Sequence, residues 1–85
     1  MPKSVFTEAY ASLLATLVAT RKNSGVTQVE LAERLGKPQP FVSYLERGER
    51  RIDVIEFYAI MKALGADPLE VFAQVIEGLP ERVEI

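Results

Sequence analysis

The sequence contains no cysteine and no histidine among its 85 residues. Without cysteine there is no disulfide framework, thiol nucleophile or thiolate zinc ligand. Without histidine the chain lacks the commonest general base near neutral pH. Because no other combination of nucleophile and base or of metal ligands is visible, we expect no catalytic centre, no metal site and no cofactor. The chain is expected to bind a partner rather than to act as an enzyme.

Long hydrophobic runs are also missing. The most apolar run, LLATLVA at 13–19, is much shorter than the ~20 residues that span a bilayer. A secretory signal is disfavoured because Lys3 is the only basic residue before this run, whereas the basic residues Arg21 and Lys22 follow it. We therefore expect a cytoplasmic protein with no membrane partner.

The length suits a single domain over residues 1–85, with a core over about 6–78 and a short tail at 79–85. The net charge of −2 argues weakly against a nucleic-acid partner, but the charge is unevenly distributed. Residues 52–85 carry seven carboxylates and two cations, whereas cations outnumber carboxylates in residues 1–51. One end of the domain can therefore face a polyanion while the other keeps it soluble.

Helix starts are marked by a short capping residue followed three positions later by glutamate, a pattern that satisfies free backbone amides at a helix N-terminus. The pairs are Thr27 with Glu30, Asp53 with Glu56, and Asp67 with Glu70. Glycines at 36, 48, 65 and 78 fall where helix C-termini need caps. The sequence predicts an all-α fold with helices over 5–22, 28–35, 39–47, 54–64 and 68–77.

Two helices have informative apolar patterns. The first presents an apolar stripe made by Phe6, Tyr10, Leu13 and Leu17. The fourth is apolar nearly all round, so we expect it to lie centrally.

Only Gly36, Lys37 and Pro38 separate the second and third helices, which is helix-turn-helix spacing. The segment TQVELAERLGKPQPFVSYLERGER at 27–50 resembles the Cro/C1-type, or XRE, family of helix-turn-helix regulators, and the resemblance continues through IDVIEFYAIMKALGADPLEVF at 52–72. It implies a five-helix lambda-repressor-like DNA-binding domain that acts as a dimer, with the third helix in the major groove of double-stranded DNA.

The exposed face of the third helix supplies the candidates for base readout. The amide of Gln39 can donate and accept at once, which suits bidentate pairing with adenine. Ser43 can bond either kind of base edge, and Tyr44 offers a hydroxyl and a ring. Pro40 stands where the family often has a polar residue, and it cannot hydrogen-bond a base. A protein contact is the alternative for Tyr44.

Phosphate contacts are expected from residues that flank the groove in the family, because backbone amides and guanidinium forks suit phosphate oxygens. These residues are Thr27, Gln28, Lys37, Arg47, Arg50 and Arg51. For Arg50 and Arg51 the alternative is a solvated pair of loop charges. Arg21 and Glu46 match family positions that form a buried ion pair, unless Glu46 is exposed.

Apolar residues in the fifth helix and the tail exceed what one buried stripe needs. We expect a twofold homodimer through these residues, which are Val71, Val75, Leu79, Val83 and Ile85. The alternative is that the tail folds back on its own chain or is disordered.

The sequence thus predicts a sequence-specific transcriptional regulator, most simply a repressor that binds a pseudo-palindromic operator as a homodimer. A phage-type repressor, a restriction controller and an antitoxin all use this module, so the subclass stays open. The alternative from another class is a protein-interaction module of the same fold, whose partner is a toxin or part of the transcription machinery. The acidic balance of residues 52–85 favours that alternative.

Overall fold

A computed structural model of the chain describes residues 7–85. Every regular element in that range is a helix, which confirms the all-α prediction. The helices are α1 (Glu8–Asn23), α2 (Gln28–Leu35), α3 (Gln39–Glu46), α4 (Val54–Leu64) and α5 (Pro68–Glu77). The predicted bounds of α2, α4 and α5 are correct, and α3 ends one residue earlier than predicted. The first helix, predicted over 5–22, begins at Glu8 and ends at Asn23, and Phe6 lies outside the described residues.

The helix starts follow the capping pattern in two of the three predicted places. At α2 the Thr27 hydroxyl accepts from the amide of Glu30 at 3.0 Å, and the Glu30 carboxylate accepts from the amide of Thr27 at 2.9 Å. Asp53 and Glu56 make the same reciprocal pair at α4. At α5 the prediction was wrong in detail, because the Asp67 carboxylate accepts from the amide of Leu69, two positions on.

The turn between α2 and α3 is as short as the sequence predicts. Gly36 ends α2 in the left-handed conformation at φ 68°, where a side chain would be strained. The amide of Lys37 bonds back to the carbonyl of Ala32 at 2.9 Å, which closes the end of α2. Pro38 is extended at φ −62° and ψ 151° and is the N-cap residue that precedes α3. Only residues 36–38 therefore separate α2 from α3.

One hydrophobic core joins the helices, with α2 packed on α3 and α4, and α1 packed on α3 and α5. Leu31 and Ala32 of α2 and Val42 and Leu45 of α3 are each at most 2% exposed, so the two helices of the motif share a dry interface. The centre is completed from α1 and α4 by Leu17, Ile60 and Met61. Packing against α1 and α2 thus fixes α3 and leaves one of its faces outward.

α4 packs against the core on one face only, although its apolar pattern predicted a central position. Phe57, Ile60, Met61 and Leu64 face the core, but Val54, Ile55 and Tyr58 are 55–72% exposed. The cause is geometric, because α5 covers only one side of α4 and a helix apolar all round needs partners on every side. Within residues 7–85, no helix combines the length and apolar character needed to cross a membrane.

Candidate nucleic-acid interface

The outward face of α3 carries the residues predicted to read bases. Gln39 is the first residue of the helix and is exposed, and Tyr44 is 45% exposed one turn further on. Ser43 is half-buried. Pro40 occupies the second helical position, where the backbone N–H that proline lacks has no partner within the helix. The structure therefore brings these four residues together on one helix surface.

Three elements meet at a buried ion pair behind this surface. The Arg21 guanidinium of α1 donates from Nε and Nη2 to the two carboxylate oxygens of Glu46, at 2.6 and 3.0 Å. Its Nη1 donates to the carbonyl of Val26 at 3.0 Å. The two side chains are only 10% and 7% exposed, so Glu46 does not point into solvent. The pair sets the orientation of α3 against α1.

Gln28 joins the same pair, which the sequence did not reveal. Its side-chain Nε2 donates to Oε1 of Glu46 at 2.8 Å, so its donor points inward. What Gln28 presents outward is its backbone amide at the first turn of α2, where free N–H groups suit a phosphate. Thr27 likewise uses its hydroxyl as the helix cap. Bonding to the backbone amide of Thr27 also holds the pKa of Glu30 below its usual value.

Arg47 lies at the end of α3 in contact with three neighbouring side chains. Its Nη1 donates to the Ser43 hydroxyl at 2.8 Å, while Nε and Nη2 donate to the Glu49 carboxylate at 3.0 and 3.3 Å. Its guanidinium lies 5.4 Å from the centre of the Tyr44 ring. The hydrogen bond to Glu49 raises the pKa of Arg47. Two predicted base-reading residues and one predicted phosphate ligand thus form one connected group.

Arg50 and Lys37 both contact a half-buried aromatic ring. The Arg50 guanidinium is 4.9 Å from the centre of the Phe41 ring, and the Lys37 amine is 5.4 Å from it. Phe41 also packs against the core. Cations over a ring face are attracted by its quadrupole, so Phe41 holds two predicted phosphate ligands near the start of α3.

Glu56 engages Arg50 with both carboxylate oxygens, at 3.0 and 2.9 Å. This contact lowers the pKa of Glu56, with help from the hydrogen bond it accepts from the amide of Asp53, and it raises the pKa of Arg50. Sequence reasoning assigned Glu56 to helix capping alone. Arg51 lies 4.4 Å above the ring of Tyr10, whose hydroxyl accepts from the amide of Ile52. The loop after α3 is thereby fixed to α1.

The predicted dimer residues do not share one surface. Val71 and Val75 are 5% and 3% exposed because they face α1 and α4 of their own chain, which contradicts their place in an interface between copies. Leu79 is half-buried, and the Gly78 carbonyl before it accepts from the Ser12 hydroxyl of α1 at 3.3 Å. The start of the tail therefore folds back on its own chain.

The exposed apolar stripe of α5 lies on a different side of the helix. It consists of Leu69, Phe72 and Ile76, which are 82%, 46% and 54% exposed. Phe72 also meets Phe57 of α4 edge to face, with ring centres 6.0 Å apart. Val83 and Ile85 of the tail line a cavity of about 270 Å³ together with Phe72. This α5 stripe, rather than Val71 and Val75, is available to a partner.

Comparisons with known proteins agree with this geometry. The family model described as helix-turn-helix matches residues 17–71. An HTH-type transcriptional regulator, y4dJ, from Sinorhizobium fredii is 42% identical over 50 residues, and the match spans 59% of this chain and 65% of that protein's length. The solved structure of an XRE-family like protein from Pseudomonas syringae pv. tomato is 42% identical with a TM-score of 0.81, covering 92% of this chain and 95% of that one.

A third relative shares the fold at lower identity. It is the restriction-modification controller protein C.Esp1396I, solved as a tetramer in complex with its natural 35 base-pair operator. Its TM-score is 0.75 at 22% identity, and the match covers 85% of this chain and 95% of that one.

Proposed function

Because this chain belongs to the XRE-type helix-turn-helix family of transcriptional regulators, we propose that it binds a pseudo-palindromic operator as a homodimer and represses transcription there. The observation that supports this most is the exposed face of α3, which is rich in hydrogen-bonding groups and is held by the buried contact of Arg21 with Glu46. An α-helix presented in this way fits the major groove. The protein acts in the cytoplasm, where it meets the DNA.

Gln39 is the proposed reader of an adenine, with Ser43 and Tyr44 beside it. The phosphate ligands are the first-turn amides of α2 at Gln28, together with Lys37 and the arginines that follow α3. These contacts are expected to dominate affinity and its dependence on salt. The controller protein C.Esp1396I, which shares the fold, was solved on its operator, and this supports the same mode of binding.

The test of this function is a titration of labelled duplex carrying the promoter of the protein's own gene, in parallel with a random duplex, at several salt concentrations. We expect tighter binding to the promoter and a steep loss of affinity as salt rises. Equal binding to both duplexes, or affinity that salt does not change, would count against a sequence-specific regulator.

Gln39→Ala is expected to weaken binding to the preferred site by about 1–3 kcal/mol and to relax preference at one base pair. The reason is that Gln39 is exposed at the first position of α3, so its loss removes a base contact without disturbing the core. Selection of bound sequences from randomised DNA, followed by titration of single-base variants, measures this. Lys37→Ala is the matched control, since losing a phosphate ligand should weaken all duplexes alike. Equal losses for Gln39→Ala on specific and random DNA would overturn the assignment.

The homodimer is proposed to form through the α5 stripe, continued by Val83 and Ile85. Apolar side chains this exposed gain free energy when a second copy covers them, and a twofold axis pairs the same patch with itself. The tetrameric assembly of C.Esp1396I on its operator supports association within this fold. Pairing of this kind sets two recognition helices about one DNA turn apart.

Leu69→Glu combined with Ile76→Glu is expected to leave a monomer of 9.5 kDa where the unaltered protein has twice that mass. Both side chains are more than half exposed, so the carboxylates disturb the interface rather than the core. Light scattering across a concentration series measures the mass. Val29→Glu, at an apolar residue 50% exposed on α2, is the control that should remain dimeric. If the unaltered protein is monomeric at every concentration, the proposed homodimer is wrong.

A protein partner is the second candidate function, favoured by the exposed apolar residues of α4 within an acidic part of the chain. These residues are Val54, Ile55 and Tyr58. A toxin or a component of the transcription machinery is the kind of partner proposed, with DNA binding secondary. The duplex titration separates the two functions, because a pure protein-interaction module would bind neither duplex in a salt-dependent way.

A further inference from the structure

Two carboxylates occupy the arginines that are expected to bind phosphate. Glu49 accepts from Nε and Nη2 of Arg47, and Glu56 accepts from both terminal nitrogens of Arg50. In each case the carboxylate meets two N–H groups of the guanidinium fork at once. A DNA phosphate is also recognised in this paired geometry. The carboxylates therefore stand where phosphate oxygens would bind, and we call the two contacts the carboxylate clamps.

The remaining donors of these arginines are few. Nη1 of Arg47 also donates to the Ser43 hydroxyl, and Nη1 of Arg50 also donates to the carbonyl of Arg51. An incoming phosphate must therefore displace a carboxylate or bind beside it. Displacement breaks existing hydrogen bonds, and binding alongside places two negative charges within a few ångströms of each other. Either route lowers the affinity for DNA.

The clamps are exposed enough to open. The side chains of Arg47 and Glu49 are 54% and 53% exposed, and those of Arg50 and Glu56 are 45% and 27% exposed. Ion pairs in such positions are weak because water and salt screen them. Exchange of one anion for another at the same arginine is therefore possible without disturbing the core.

We propose that Glu49 and Glu56 set the DNA affinity of this surface by competing with backbone phosphates for Arg47 and Arg50. The proposal rests on the proposed function, because it assigns a role within the same DNA-binding surface. The competition acts on every duplex alike, since phosphates carry no sequence information. The clamps therefore lower non-specific and specific binding by the same factor.

The test uses the full chain with Glu49→Gln, Glu56→Gln and the double variant, titrated against a fluorescein-labelled random duplex. Glutamine at 56 can still accept from the amide of Asp53, so the α4 cap is retained. We expect each single variant to bind roughly two- to five-fold more tightly, the range that corresponds to the loss of one exposed ion pair. The dependence on salt between about 50 and 200 mM should also become steeper, because more uncompensated positive charge meets the DNA.

Glu77→Gln is the matched control, since it removes the same charge from an exposed position on α5. If Glu49→Gln and Glu56→Gln raise the affinity for DNA no more than Glu77→Gln does, the proposed competition is wrong and the proposed function still stands. If the unaltered protein shows no salt-dependent binding to any duplex, both the proposed function and the proposed competition are wrong.

A double-mutant cycle tests whether Glu56 acts through Arg50. In an Arg50→Ala background, Glu56→Gln should give no more affinity than Glu77→Gln gives there, because the arginine it would release is gone. If Glu56→Gln raises the affinity as much in that background as in the unaltered protein, the effect is one of general charge and the proposed competition is wrong. Thermal melts by circular dichroism, unchanged in the Gln variants, establish that the comparison is between folded proteins.

Discussion

Glu46→Ala is expected to lower the free energy of unfolding by about 3–5 kcal/mol, which is the usual cost of removing one partner from a buried ion pair. The change removes the carboxylate that takes two hydrogen bonds from the Arg21 guanidinium, and Arg21 is buried in the unaltered protein. It also leaves the side-chain donor of Gln28 without its acceptor. Urea titration followed by circular dichroism measures the loss.

The double variant Arg21→Met with Glu46→Leu separates a lost interaction from an unpaired buried charge. Because the double variant leaves no buried charge behind, it should be more stable than Glu46→Ala alone. Its affinity for DNA should nevertheless fall, since nothing then fixes α3 against α1 and α2 through these groups. If Glu46→Ala unfolded at the same urea concentration as the unaltered protein, the ion pair would have no structural role.

Leu45→Ala is the second large effect, with an expected loss of about 2–5 kcal/mol in the free energy of unfolding. Leu45 is 1% exposed and lies in the core on the inner face of the recognition helix. Removing its branched end leaves a cavity that the neighbouring helices cannot fully close. The loss is measured by the same urea titration, and affinity for DNA should fall in step with the folded fraction.

Tyr44→Ala is the matched control, one residue earlier on the same helix and 45% exposed. A change at an exposed site is usually within about 0.5 kcal/mol, so this variant should fold almost normally. Its affinity for DNA should change only if the side chain contacts DNA. Similar losses of stability for the two variants would contradict the division of α3 into an inner and an outer face.

Helix bounds were predictable because local chemistry fixes them. Reciprocal capping at Thr27 and at Asp53 places two helix starts, and Gly36 closes α2 in a conformation that glycine adopts without strain. These signals act over four or five residues, so no tertiary information is needed. The all-α fold and the family were predicted from residues 27–72, the segment that contains these signals.

Which side of a helix is covered was less predictable, because it depends on where the neighbouring helices lie. The sequence suggested that Val71 and Val75 were apolar residues beyond those the core needs, but they are the core residues of α5. The apolar residues that the core does not cover are those of the α5 stripe. In α4, which was expected to lie centrally, Val54 and Ile55 face outward. Hydrophobic periodicity gives the faces of a helix but not the direction of its partners.

Side-chain pairing across elements was the least predictable part of the candidate interface. Glu56 caps α4 by a local rule, yet its contact with Arg50 depends on how the intervening loop runs. Gln28 was expected to face phosphate, and its donor instead reaches Glu46, 18 positions along the chain. Polar side chains of this length have several partners within reach, and only the packed backbone selects among them.

Pro40 marks a position on the outward face of α3 where one side chain can replace another at little cost in stability. Pro40 lacks a backbone N–H, but at the second position of α3 that N–H would have no partner within the helix. Replacing Pro40 by serine or glutamine therefore costs at most about 1 kcal/mol, through the greater entropy of the unfolded chain. Such a substitution adds a hydrogen-bonding side chain directly beside Gln39. The outward face of α3 can therefore gain a hydrogen-bonding group at this position with little loss of folding stability.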